Sequence, residues 1–126
     1  MFKMYNPNPE NLRTDDCTVR AISKILDISW DAAYLSLTYT GFQMKAMSDT
    51  NFVWGAFLFS KGFTRKAIPD SCPLCYTIKQ FCKDHPKGKY IVATQDHVVA
   101  IENGDYYDTW DSGDEVPVYY WKETLT

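Results

Sequence analysis

The chain has 126 residues, a net charge of −3, and is 45% hydrophobic, 23% charged and 16% aromatic. That length suits one domain spanning 1–126, with a core that needs no covalent staples. The acidic balance argues against nucleic acid as a partner, and no apolar run approaches the roughly 20 residues of a membrane helix. Met1-Phe2-Lys3-Met4-Tyr5-Asn6-Pro7 lacks the apolar middle of a signal peptide. A cytoplasmic protein is expected, in which the four cysteines serve as thiols, metal ligands or a nucleophile rather than disulfides.

Residues 1–13, with Asn6-Pro7-Asn8-Pro9, read as an extended arm. Thr14, Asp15 and Asp16 are capping residues, and Val19, Ile22, Ile25 and Leu26 follow at helical spacing, which predicts a helix from Cys17 to Leu26. Ser29 caps a second helix with Trp30, Ala33, Tyr34 and Leu37 inward and a stop at Gly41. Ser48 or Asp49 opens a third through Phe52, Val53, Ala56, Phe57 and Phe59, ended by Lys61-Gly62. Phe63 to Ile68 reads as a short strand, and Thr77 to His85 as a fourth helix broken by Pro86 and Gly88. Four strands are then predicted: Tyr90–Thr94, His97–Ile101, Asp105–Trp110 and Val116–Trp121. Helices over about 14–85 packed on an antiparallel sheet over about 90–123 make an α+β domain.

Asn103-Gly104 is a strong signal for a two-residue hairpin turn. With those two as the turn, Glu102 faces Asp105, Val99 faces Asp108 and His97 faces Trp110. Strand alternation then puts His97, Val99, Ile101, Tyr106, Asp108 and Trp110 on one face. His97 and Asp108 become diagonal neighbours, roughly 7–8 Å apart at Cα. A carboxylate so placed holds an imidazole tautomer by accepting its N–H. Asp105 and Asp111 fall on the other face, so Asp108 is the acid to choose. The plain alternative is a solvated Asp108 beside a satisfied core histidine.

Cys17 sits in the first turn of its helix, where unpaired N–H groups and the positive dipole end favour a thiolate. Asp15 and Asp16 act against that, unless one caps the helix or pairs with Arg20 a turn along. A buried, inert thiol is the competing reading.

Asp16-Cys17 followed by Arg20-Ala21-Ile22, with the late His97-Val98-Val99-Ala100 and Tyr107-Asp108, resembles the papain-like cysteine peptidases. Within them it looks like the compact bacteriocin-leader processing peptidases, with an Asp-Cys pair opening a helix and a His-(Tyr/Val)-Val-Val strand followed by an Asp-Pro strand end. It is also similar to small phage-borne proteins that read Asp-Cys-Val-Val-Arg-Ala early and His-x-x-Ala-Val-x-x-Gly-x-x-x-Asp-Thr late. The likeness runs from Thr14 to Ser112 and implies a papain-like fold in a bacterial or phage-infected host cell. It implies Cys17 as nucleophile, His97 as general base and acid, and Asp108 as orienting acid. It also implies an oxyanion-hole amide at Asn11, where papain-like enzymes carry a longer glutamine; the N–H of Cys17 is a second donor. Thr109 stands where the processing peptidases have Pro, and their gap between His and Asp is longer. The nucleophile stretch also resembles that of the ovarian-tumour-type deubiquitinases, through Cys17, Arg20, Ala21 and Ile22, which implies an isopeptidase as an option. Thr14 stands where those carry Asp.

Cys72, Cys75, Cys82 and His85 form a Cys-x2-Cys-x6-Cys-x2-His pattern, which fits a structural zinc site with a short middle gap. Cys82 falls on the helical face of Ile78 and Phe81, where a buried thiol is ordinary. Two functions follow as expectations. One is a thiol protease acting on a protein or peptide substrate without a cofactor. The other is a non-enzymatic interaction module on the same fold, with zinc at the four-ligand cluster.

Overall fold

The computed structural model describes residues 1–71 and 73–124. These form four helices, α1 (Cys17–Leu26), α2 (Trp30–Met44), α3 (Asn51–Ser60) and α4 (Ile78–Asp84). They also form six strands, β1 (Phe2–Met4), β2 (Phe63–Ala67), β3 (Lys89–Ala93), β4 (Val98–Glu102), β5 (Asp105–Asp108) and β6 (Tyr119–Glu123). The strands make one mixed sheet in the order β1-β5-β4-β3-β6-β2, an α+β arrangement. Only β1 runs parallel to its neighbour, β5.

The sheet is therefore neither purely antiparallel nor confined to the C-terminal part. The expected extended arm is extended, but Phe2–Met4 are paired in the sheet. The free edge of β5 presents N–H and C=O groups that need partners, and the arm supplies them: Tyr106 N–H donates to the Met1 carbonyl and Tyr5 N–H to that of Asp108. Phe2 also packs on Tyr106, ring centroids 5.7 Å apart.

Helix α1 has the predicted bounds and buries Ala21, Ile22 and Ile25. Its start differs from expectation, because Asp16 makes no side-chain cap hydrogen bond. Ser29 does cap α2, accepting from Ala32 N–H, but the helix runs through Gly41 to Met44 and stops at Lys45 in the left-handed region. Gly41 is instead a close-packing position, where a Cβ would lie 2.7 Å from the Ala46 carbonyl oxygen. Helix α3 turns Val53, Trp54, Phe57 and Leu58 inward, and leaves the expected core residues Phe52 and Phe59 exposed. The capping box of α4 joins Thr77 and Gln80.

One sheet face carries Ile91, Ala93, Val98, Ala100 and Trp121 and is covered by α1, α2 and α3. The other carries Val92, Val99, Ile101 and Tyr106 and is covered by α4. Burial on both sides explains the unbroken apolar run Val98-Val99-Ala100-Ile101 in β4. Burial of each valine and of the isoleucine away from water contributes ~1.5–3 kcal/mol. The hairpin register is Glu102 to Asp105, Ile101 to Tyr106 and Ala100 to Tyr107, with Asn103 and Gly104 both at positive φ. That is the turn geometry an Asn-Gly pair favours.

Candidate active site

Three elements end at the same place. Cys17 is the first residue of α1, His97 immediately precedes β4, and Asp108 is the last residue of β5. Val99, Ile101 and Tyr106 share the face under α4, whereas α1 packs on the opposite face. Strand alternation thus accounts for the His97–Asp108 pairing but not for the meeting with Cys17. That meeting happens because both residues sit at strand ends, beside the opening of the helix. His97 is held there by a tight loop: Thr94 N–H donates to the His97 carbonyl at 2.8 Å, and Thr94 Oγ1 accepts from Asp96 N–H at 3.3 Å.

His97 Nε2 lies 2.6 Å from Asp108 Oδ2. The Cys17 thiol lines the same cleft as this ring, near enough for the two groups to shift each other's titration. Asp108, only 1% exposed, is saturated: Oδ2 also accepts from Ser112 Oγ at 2.7 Å, and Oδ1 accepts from Thr109 N–H at 2.7 Å and Arg20 Nη2 at 3.0 Å. Arg20 in turn pairs with Asp16, whose second oxygen accepts from Trp30 Nε1 at 2.9 Å. The row Trp30–Asp16–Arg20–Asp108–His97 is therefore continuous and ends at the cleft that Cys17 lines.

Burial alone disfavours a thiolate at Cys17. The His97 hydrogen bond and charge, the Val98 N–H and the Arg20 charge outweigh it and hold the thiol below its ordinary 9.0. Burial likewise opposes charge on His97, but hydrogen bonds and charges from Asp108 and Cys17 raise it from 6.5 to about 9. Burial of Asp108 is overcome by hydrogen bonds from His97 and Ser112, the His97 charge and the Thr109 N–H, so its carboxyl lies below 3.8. At neutral pH these shifts favour a thiolate–imidazolium–carboxylate row. The anticipated penalty from Asp16 is removed by its pairing with Arg20, while Asp15 is exposed.

Cys17 and His97 open on a cleft of about 390 Å³, walled by Thr14, Thr18, Asn51, Trp54, Thr94 and Gln95, with Asp15, Asp49 and Asp96 also lining it. The Trp110 ring lies 5.0 Å from His97 and covers it from one side while 45% exposed itself. The cleft draws on the region between Trp30 and Phe63 only through Asp49, Asn51 and Trp54. Asn11 is not brought to the cleft. It sits exposed in the arm at φ 56°, with its Oδ1 accepting from Asn6 Nδ2 at 3.4 Å. At the start of α1 the N–H groups of Cys17, Thr18 and Val19 have no acceptor within the helix, whereas that of Arg20 donates to the Asp16 carbonyl.

In the cysteine–histidine pattern, Cys72 lies outside the described residues. Cys82 is buried beside Ile78 and Phe81, and burial, with the Asp105 charge against the N-terminal amine, pushes its thiol up to about 11. His85 Nδ1 lies 2.9 Å from the Phe81 carbonyl oxygen and its ring stacks on Phe81. Among the described residues, no group of three or more His, Cys, Asp or Glu is placed to hold a metal ion. No helix among them is long and apolar enough to cross a membrane.

Sequence reasoning missed Ser112, Trp30 and the reach of Arg20 to Asp108. The spacing of Asp16 and Arg20 signalled their pairing, but nothing local signalled a contact 88 residues away. No family model, no curated protein and no solved structure matches this chain.

Proposed function

We propose that this chain is a papain-like cysteine hydrolase that cleaves a peptide or isopeptide bond through an acyl-enzyme. The observation that carries the reading is the row of buried Asp108, half-buried His97 and half-buried Cys17, opening on a cleft. The Cys17 thiolate attacks the scissile carbonyl carbon, and the C=O electron pair moves onto oxygen. The first-turn N–H of Cys17 supports that oxyanion. His97 gives its proton to the departing amine nitrogen, the carbonyl re-forms and an S-acyl enzyme remains. Neutral His97 then takes a proton from water as the water oxygen attacks the thioester carbon. The C–S bond breaks, the acid product departs, and the Cys17 thiolate is left beside the His97 imidazolium as at the start. Asp108 keeps one ring orientation throughout.

The cleft also favours a substrate charge. Beyond the Cys17–His97 pair, its exposed ionisable side chains are Asp15, Asp49 and Asp96, and Arg20 is enclosed by Asp16 and Asp108. A neutral or basic segment suits such walls and an acidic one is repelled. The test is alkylation by iodoacetamide, with labelled cysteines mapped by mass spectrometry, alongside cleavage of a mixed-sequence peptide library. Cys17 is expected to react far faster than exposed Cys75 near neutral pH, and library cleavage is expected to vanish in Cys17→Ala. Equal labelling of the two cysteines, or cleavage that survives the substitution, refutes the reading.

A further inference from the structure

Arg20 is the feature of this site that the reaction itself does not use. It lies three residues after Cys17 on α1, so the two side chains leave the same helical face one above the other. Its guanidinium is almost fully enclosed, at 7% side-chain exposure, between Asp16 at the root of the same helix and Asp108 at the end of β5. One amino group, Nη1, goes to Asp16 Oδ1 and the other, Nη2, to Asp108 Oδ1, so the planar fork is divided between two elements. Asp16 is itself pinned by the Trp30 indole at the start of α2. Asp108 spends its other oxygen on His97 and Ser112.

We propose that Arg20 is a positioning residue of the thiol site, which ties the helix carrying Cys17 to the strand end carrying Asp108 and so sets His97 against the sulfur. This rests on the hydrolase reading above. The helix opening, the loop holding His97 and the end of β5 are separate pieces of chain. The side-chain contact from the nucleophile's own helix to the orienting acid is the Arg20 bridge. A fork is needed for that. An ammonium at the same place keeps the charge but not two fixed, coplanar donors aimed at different carboxylates. The charge of Arg20 also helps hold the Cys17 thiol low, though burial works against it. A test of positioning must therefore leave charge unchanged.

Arg20→Lys does so and carries the test of positioning. The double variant Asp16→Asn with Arg20→Gln keeps the net charge of the pair at zero and hydrogen-bonding groups of similar size. It removes the fork and the Arg20 charge together, so its loss is expected to be the larger of the two. For each, folding is followed by circular dichroism and thermal melting, and Cys17 alkylation by iodoacetamide is measured against pH well below the melting temperature. The expected result is a folded variant whose Cys17 reacts about tenfold or more slowly near neutral pH, with its profile moved toward that of an ordinary thiol. A lower melting temperature with the wild-type profile intact assigns Arg20 to stability alone and overturns the inference, leaving the hydrolase reading standing. Loss of the fold in both variants overturns it in the same way. If wild-type Cys17 reacts no faster than Cys75, the hydrolase reading fails first, and this inference with it.

Discussion

Replacement of Asp108 by Asn tests the electrostatics of the site most directly. The rise of His97 from 6.5 to about 9 corresponds to ~3 kcal/mol favouring the imidazolium in the folded protein. Burial opposes that rise, and Asp108 and Cys17 each supply one hydrogen bond and one charge toward it. Asp108→Asn withdraws the carboxylate's hydrogen bond and charge, while the opposing burial remains, so the loss is at least ~1.5 kcal/mol, about tenfold or more in the imidazolium population. Because the thiolate and the imidazolium stabilise each other, Cys17 loses a similar factor in thiolate near pH 7. The substitution leaves no buried orphan charge, since Arg20 remains paired with Asp16 and the amide oxygen still accepts from Ser112 or Thr109. The assay is the second-order rate of Cys17 carboxymethylation from about pH 5 to about pH 9, with the titration of the His97 ring protons followed by NMR. A slower rate near neutrality and a lower His97 midpoint are expected. Identical profiles and midpoints in the two proteins would show that Asp108 does not charge the imidazole, and the row would lose its chemical meaning.

The same shifts give a linkage prediction with a definite sign. In the folded pair the raised His97 and the lowered Cys17 act in opposite directions: the stability from His97 is lost as pH rises from 6.5 through about 9, and that from Cys17 is gained, so the two offset each other. In Cys17→Ala the raised His97 stands alone: its contribution is fully present below 6.5 and is lost as pH rises through the folded value. Urea unfolding is therefore expected to show a steeper downward slope in that variant than in the wild type; parallel slopes would contradict the ion pair. Hydrolysis of a cleaved peptide should follow a bell, with an alkaline limb near pH 9 where His97 loses the proton it gives to the leaving amine. An activity that keeps rising past that point would remove His97 as the acid. Lys-containing library peptides should be cut faster than Glu-containing ones, with the difference shrinking in high salt, and no difference at low salt would remove the electrostatic role of Asp15, Asp49 and Asp96. Away from the site, Gly55→Ala places a Cβ 2.9 Å from Trp121 Cζ2 in a packed core and should cost ~1–3 kcal/mol in chemical denaturation. An unchanged midpoint would mean that the indole moves aside freely.

Much of this architecture was legible locally. The bounds of α1 followed from the spacing of Val19, Ile22 and Ile25, and the register of the β4–β5 hairpin from Asn103-Gly104, because helix period and turn geometry are set within a few residues. The same local reasoning fixed which acid lies beside His97. It could not see β1, because an Asn- and Pro-rich arm has no strand pattern of its own and pairs only where β5 offers an open edge. It also misjudged Phe52, Phe59 and Gly41, whose burial depends on which side of α2 and α3 meets the sheet.

The sequence by itself determined a thiol at a helix opening and an imidazole facing a carboxylate across a tight hairpin, since each rests on contacts between near neighbours in the chain. Tertiary structure alone decided that those two halves meet, that Arg20 spans them, and that Asn11 stays away. Such contacts join residues as much as 88 positions apart, and a contact at that range is selected by how the helices cover the sheet rather than by any preference of the residues that make it.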